Sequence, residues 1–457
     1  MKIYYALFLL CFLPSFLSQA TEQGGIKIAL NQQLIYSALN HFFGDLSKFL
    51  NDFEIPNIRF FRGCNARNVR GKVSNFSKEK VTLEFNANGI HLMLHNLRGQ
   101  ITTRVDSSFL IIPFHNNAKV TINDLSLDCT IRIVTKIKNG RKLLSAEFVG
   151  YPGFRLKYGI SMDGALNKVL SAVAKYFADK KIAEIMNEKI DGYLRDAIES
   201  LPLETLVDSS NKYYLDYSLV NDVRHRSGFI EMNVFGLLYK QGKSDTQNRN
   251  RYSLSQLPII NQMENELQLY VSEYSLNSAL YTIIQSNSFQ NQLKIDDIKT
   301  QLLNFLLPGI EKNFGKLPTS AEFYYSTPKL EITEKSINCP ITGNIIVRVN
   351  NASKPVLLIN YNLVLSLELY VLPGPYISAK ILDLSAKTNR VELNDIEAPQ
   401  DTFETLVNMV KTPTLALANL LLKNDIKLSF KQLLGLTFKD ISLTPKNQYL
   451  VVKYNLS

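Results

Sequence analysis

The chain has 457 residues, of which 46% are hydrophobic and 20% charged, with 51 Lys and Arg against 41 Asp and Glu, a formal charge of +10. That length exceeds one ordinary core and predicts two or three domains, and the composition excludes a disordered or collagen-like chain. The positive balance suits anionic partners such as lipid headgroups or nucleic acid without choosing between them, and four cysteines are too few to staple a fold of this size.

In chain order, Lys2 precedes an apolar run over 6–17, and Ser18-Gln19-Ala20 places small residues at the −3 and −1 positions. Residues 1–20 therefore read as a signal peptide, and the run is shorter than the ~20 apolar residues a membrane span needs. The expected protein is secreted and extracellular. Cys11 leaves with the signal, and an odd number of thiols then remains, with at most one internal bridge. Cys64 and Cys129, both in the first half, are the candidate disulfide, and Cys339 stands apart. Asn75-Phe76-Ser77 and Asn351-Ala352-Ser353 are glycosylation sequons.

An amphipathic helix is expected over 30–53, since Leu30, Leu34, Ala38, Phe42, Leu46, Phe49 and Phe53 recur at three- and four-residue steps. Pro56 stops it. Alternating segments at 80–85, 90–95 and 120–133 read as strands, and Asn139-Gly140 joins two strands by the strongest short hairpin signal. A second, longer helix is expected over 163–201, with Leu170, Val173, Ala174 and Phe177 on one face. Residues 241–250 (QGKSDTQNRN) carry no apolar anchor, so the domain boundary is placed at 241–262, between units at 21–240 and 263–457. The second unit repeats the plan: a helix over 274–286, strands at 345–349, 356–371 and 377–393, a helix over 402–423 kinked at Pro413, and a last strand at 449–454.

Helix faces that bracket strand-rich segments can enclose an apolar channel. Leu34, Ala38, Phe42, Leu170, Val173, Ala174 and Phe177 are the pocket candidates, and ordinary helix-to-sheet core is the competing reading of the same residues. Lys136, Lys138, Arg141 and Lys142 gather at the Asn139-Gly140 turn as a candidate basic tip for anionic headgroups. Arg59, Arg62, Arg67, Arg70 and Lys72 form a second basic cluster. His91 and His95 do not form a metal site, because four residues along a strand span ~13 Å. The chain contains no HExxH, GxSxG or phosphate-loop motif, so no catalytic constellation or metal is expected.

Four segments carry a family resemblance: 229–240 (FIEMNVFGLLYK), 266–279 (ELQLYVSEYSLNSA), 305–314 (FLLPGIEKNF) and 436–454. In this order the chain resembles the bactericidal/permeability-increasing protein, lipopolysaccharide-binding protein and plasma lipid-transfer protein family. The resemblance implies an α+β fold, an elongated boomerang of two barrel-plus-long-helix units joined by a central antiparallel sheet. It further implies pockets for phospholipid or lipopolysaccharide-like amphiphiles, no cofactor, no enzymatic activity and no nucleic-acid partner. A role in innate defence and a role as a lipid-transfer carrier both fit, and a secreted lipid hydrolase is the reading from a different class. Two departures stand out. The stretch 183–200 lacks the family's helix-anchoring cysteine, and the segment 98–108 that matches the family's basic hairpin has only Arg98 and Arg104, opposed by Asp106.

Overall fold

The computed structural model describes residues 21–37, 51–109, 112–162, 192–240, 253–286, 292–394, 404–415, 426–427 and 438–456, less short stretches within them. Among these residues strands dominate, in five sheets. The α+β expectation is therefore corrected towards a mostly β chain with few helices. No closed barrel and no long helix is present among the described residues. Most of the expected helices at 30–53, 163–201 and 402–423 lies outside them.

The organising element is a six-stranded antiparallel sheet that takes three strands from each half of the sequence. Its middle pair consists of Ile26–Asn31 and Leu267–Ser272, here called the first and second entry strands. Beside the first lies the hairpin Arg224–Arg226 and Phe229–Val234, and beside the second the hairpin Phe438–Lys446 and Tyr449–Leu456. Leu30 thus belongs to a strand, and the first helix starts at residue 32. The alternation Ile26, Ile28, Leu30 runs into Leu34 at helical spacing, which hides the boundary in the sequence.

The two halves repeat this junction atom for atom. Gln32 and Glu273 are the first residues after the two entry strands. The Gln32 amide donates to the Gly228 carbonyl, and the Gly228 amide donates to the Phe85 carbonyl. In the second half the Glu273 amide donates to the Gln448 carbonyl, and the Gln448 amide donates to the Ile332 carbonyl. Side chains follow the same rule: the Phe85 amide donates to Gln32 Oε1 at 3.3 Å, and the Ile332 amide donates to Glu273 Oε1 at 2.6 Å. Gly228 (φ 86°) and Gln448 (φ 72°) both occupy the left-handed region in the turn of a closing hairpin. Glycine adopts that conformation freely, whereas Gln448 is held there by two backbone hydrogen bonds.

Each half then carries its own sheet. The eight-stranded sheet is built on Gly89–Phe109 paired with Ile112–Lys138, and the seven-stranded sheet on Leu357–Leu372 paired with Ile337–Val349 and Tyr376–Leu393. Alternation fixes their faces: along Leu357–Leu372, residues Leu357, Ile359, Tyr361, Leu363 and Leu365 are buried and their neighbours are not. The main core of the second half gathers these with Leu307, Ile310 and Val347. Thr21–Gly24 pairs with Ser255–Pro258, so part of the expected linker forms a strand. No helix among the described residues is long and apolar enough to cross a membrane.

Candidate functional site

The central sheet has one polar and one apolar face, and the polar face is sealed as fully as the apolar one. On the polar face, Lys27 and Ala29 are both 0% exposed and Glu231 is 1% exposed. Lys27 Nζ donates to Glu231 Oε1 at 2.9 Å and to the Pro258 carbonyl at 2.6 Å. Gln268 and Asn233 are buried on the same side. On the apolar face, Leu267, Leu269 and Ile230 are buried, while Ile26, Ile28 and Leu30 on a middle strand and Met232 and Val271 beside them stay half-buried, Ile28, Leu30 and Val271 packing against the cluster of Leu34 and Leu267.

The helix after the second entry strand, α1 (Glu273–Ser286), likewise buries polar side chains. Its polar residues Ser275, Asn277, Ser278 and Thr282 are buried, whereas Leu276, Ala279 and Leu280 are half-buried. Asn277 Nδ2 donates to the Leu330 carbonyl, and the Leu330 amide donates back to Asn277 Oδ1. Ser278 accepts from the Leu238 amide, and Thr282 donates to the Leu238 carbonyl. Polar clips therefore hold the helix by one side, while on its aliphatic side Leu276 packs at the edge of the second-half core and Ala279 and Leu280 stay half-buried. In the first half, Gln32 Nε2 donates to the Leu83 carbonyl and Tyr36 Oη to the Val81 carbonyl. Leu34, in contrast, is fully buried against Leu267, Leu269, Val452 and Tyr454, so it is core at this position. The other pocket candidates, Ala38, Phe42, Leu170, Val173, Ala174 and Phe177, lie outside the described residues.

The Asn139-Gly140 hairpin forms as expected, with Lys138 opposite Arg141 and positive φ at both turn residues. It is not a bare cationic tip. Lys136 pairs with Glu199 at 2.9 Å, Arg141 with Glu204, and Lys142 with Asp222 at 3.4 Å, while Lys138 is exposed. Hydrogen bonds from Ser145 and then Lys136 pull the Glu199 carboxyl below its ordinary value. In the second cluster, Arg67 pairs with Asp106 at 3.2 Å and Arg70 with Glu54 at 3.3 Å.

The Cys64–Cys129 bridge is overturned. Cys64 lies opposite Ser107 and Cys129 opposite Leu92, fifteen positions apart along the shared strand Gly89–Phe109. At ~3.3 Å per residue that is ~50 Å, far beyond disulfide reach. Cys129 and Cys339 are free and buried, and burial raises their thiols from 9.0 to about 12 and about 11. Asn75 sits in a loop, where Nδ2 donates to the Asn96 carbonyl and Oδ1 accepts from the Arg98 amide. Asn351 lies outside the described residues. Among the described residues no three His, Cys, Asp or Glu side chains converge as a metal site.

A cleft of about 850 Å³ opens where the first entry strand meets its helix. Gln33 and Tyr36 border it from the helix, Ser227 and Phe229 from the closing hairpin, and Asn261, Gln262 and Met263 from the segment after the expected linker. Among the described residues no Lys, Arg, His, Asp or Glu lines it. No local sequence signal could have assembled it, because its walls come from three distant stretches.

Sequence comparison returns no matching family and no matching curated protein. Along nearly its whole length the chain is structurally similar to a lipopolysaccharide binding protein, at 13% identity, covering 95% of this chain and 99% of that one, with a TM-score of 0.49. It is also similar to P47 of Clostridium botulinum E1, at 12% identity over 96% of this chain and 100% of that one, with a TM-score of 0.33. Takeout 1 of Epiphyas postvittana, at 13% identity, covers 38% of this chain and 94% of its own, with a TM-score of 0.26. The family suggested by the ordered segments is thus represented among these structures, and no functional residue is carried over from them.

Proposed function

We propose that the protein is a secreted lipid-binding protein that lays the acyl chains of an amphiphile along the half-buried apolar face of its central sheet. The observation that carries this reading is the unequal burial along the first entry strand: Lys27 and Ala29 are sealed while Ile26, Ile28 and Leu30 stay half-buried. Acyl-chain contact with that face removes apolar surface from water, at ~25 cal/mol per Å². The α1 helix, held by its polar side, offers a second aliphatic surface in the other half. Phospholipid is the expected ligand class, and two lipid-holding units that share the central sheet are the expected organisation. The paired cations at the Asn139-Gly140 hairpin favour a lipid carrier over recognition of bacterial lipopolysaccharide or defence.

The test uses the absence of tryptophan from the chain. Ile28→Trp and Met232→Trp each place a reporter on the apolar face, and Tyr270→Trp places one on the opposite face. Phospholipid with brominated acyl chains should quench the first two and spare the third. Equal quenching of all three, or of none, would remove the assignment. Solvent extraction and mass spectrometry of the purified protein then identify what is held.

A further inference from the structure

The duplicated junction is open in one half and filled in the other, and that difference marks a site. Gln33 and Tyr274 are equivalent, each one position after the residue that clips the neighbouring strand. Tyr274 is 2% exposed, whereas Gln33 is exposed and borders the cleft. At the second junction Gly25 and Gly236, which come from the first half, press against Ser275, the residue after Tyr274, so closely that a Cβ at either would come within 2.9 Å or 2.6 Å of its hydroxyl. The first half keeps about 850 Å³ open at its own junction, a volume within the range of small-molecule sites.

The lining selects the chemistry. Among the described residues, the side chains of Gln33, Ser227, Asn261 and Gln262 make no hydrogen bond within the protein. Amides and hydroxyls offer donors and acceptors together, as a sugar hydroxyl does. A phosphate or carboxylate would call for Arg or Lys, and none lines the cleft among the described residues. An acyl chain would leave these amides unpaired and desolvated. The half-buried Tyr36 ring adds an apolar surface of the kind that meets the C–H face of a pyranose.

We infer that this cleft binds an uncharged, polyhydroxylated group, a neutral sugar, supplied either as a free saccharide or as the headgroup of a glycolipid. Gln33, Asn261 and Gln262 are the specificity-determining residues. The site stands independently of the acyl-chain surface, because a soluble saccharide occupies it without a lipid tail.

The experiment screens the intact protein against an array of neutral mono- to tetrasaccharides. It then measures binding to phosphatidylcholine vesicles with and without glucosylceramide, and to phosphatidylserine vesicles. Binding of a neutral sugar, or preference for glucosylceramide vesicles, is expected. Gln33→Leu/Asn261→Leu/Gln262→Leu should weaken it by about tenfold or more, since each substitution removes the hydrogen-bonding group that meets a hydroxyl. All three residues are exposed, so the variant should fold normally, as circular dichroism would verify. Competition by a soluble methyl glycoside identifies a free sugar as sufficient, and vesicle binding that it cannot displace identifies the glycolipid headgroup. Failure of the whole neutral panel, preference for phosphatidylserine, or sugar binding untouched by the triple variant each overturns the assignment. Bromolipid quenching at Ile28→Trp is read separately, so loss of the sugar site and loss of the acyl surface are told apart.

Discussion

Replacing Lys27 by methionine leaves the Glu231 carboxylate, 1% exposed, without its ammonium partner. Glu231 Oε2 already has no hydrogen-bond partner among the described residues, so the carboxylate depends on Lys27 through Oε1. Breaking a buried pair by removing one member costs about 3–5 kcal/mol. Loss of the Lys27 hydrogen bond to the Pro258 carbonyl adds about 1 kcal/mol. Removing both charges is different, because an apolar pair of similar volume needs no desolvation of ions. Lys27→Met/Glu231→Leu should therefore lie within about 1–2 kcal/mol of the parent, well above either single variant. Urea unfolding followed by far-ultraviolet circular dichroism measures this, with the midpoint shifted and the slope unchanged. The double-mutant cycle should return a coupling of about 5 kcal/mol or more. Single variants within about 1 kcal/mol of the parent, or a double variant that equals the sum of the singles, would refute the reasoning.

Gly25→Ala should destabilise by about 3 kcal/mol, because the new Cβ would sit 1.6 Å from the Phe235 carbonyl oxygen, a backbone atom that cannot rotate away; thermal unfolding reports it. Cys129 and Cys339 should resist a thiol reagent in the folded protein at neutral pH and react on denaturation, as labelling with mass spectrometry would show. The same burial makes stability fall in alkali. Below about pH 9 folded and unfolded chains both keep the thiol proton, but above the ordinary 9.0 the unfolded chain releases it while folded Cys129 holds on to about 12. Tyr270 and Tyr361, each raised to about 12 by burial, act in the same sense. Unfolding midpoints should therefore drop steadily from pH 9 upward, and a flat profile would contradict the burial of these groups.

Local signals carried far. Asn139-Gly140 specified its hairpin because a two-residue turn depends on its own backbone preferences, and the alternation over 356–371 specified its strand because one face is sealed. The repeated strand-then-helix entry at 266–279 was legible for the same reason, and the structure refines it to the equivalence of Gln32 with Glu273. What escaped depends on long-range pairing. Lys27 looks like an interruption in an apolar run until its partner arrives from 204 positions away. The Cys64–Cys129 pairing followed proximity in sequence, whereas strand register decides proximity in space. The four basic residues at the hairpin looked like a cluster of cations because Glu199, Glu204 and Asp222 come from elsewhere in the chain.

The symmetric make-up of the central sheet bears on how the chain can be divided. A cut within 241–252 would give each fragment three strands of that sheet and a newly bare strand, Ile26–Asn31 or Leu267–Ser272, at its rim. Such rims recruit any backbone that can complete them. The two fragments are each other's natural completion, so co-expressed pieces should reassemble through ten interlocked residues, Ile26–Leu30 against Leu267–Val271. Either piece alone is an adhesive half, prone to pair with its own copies. The seam that joins the molecule is therefore also what forbids its halves an independent life.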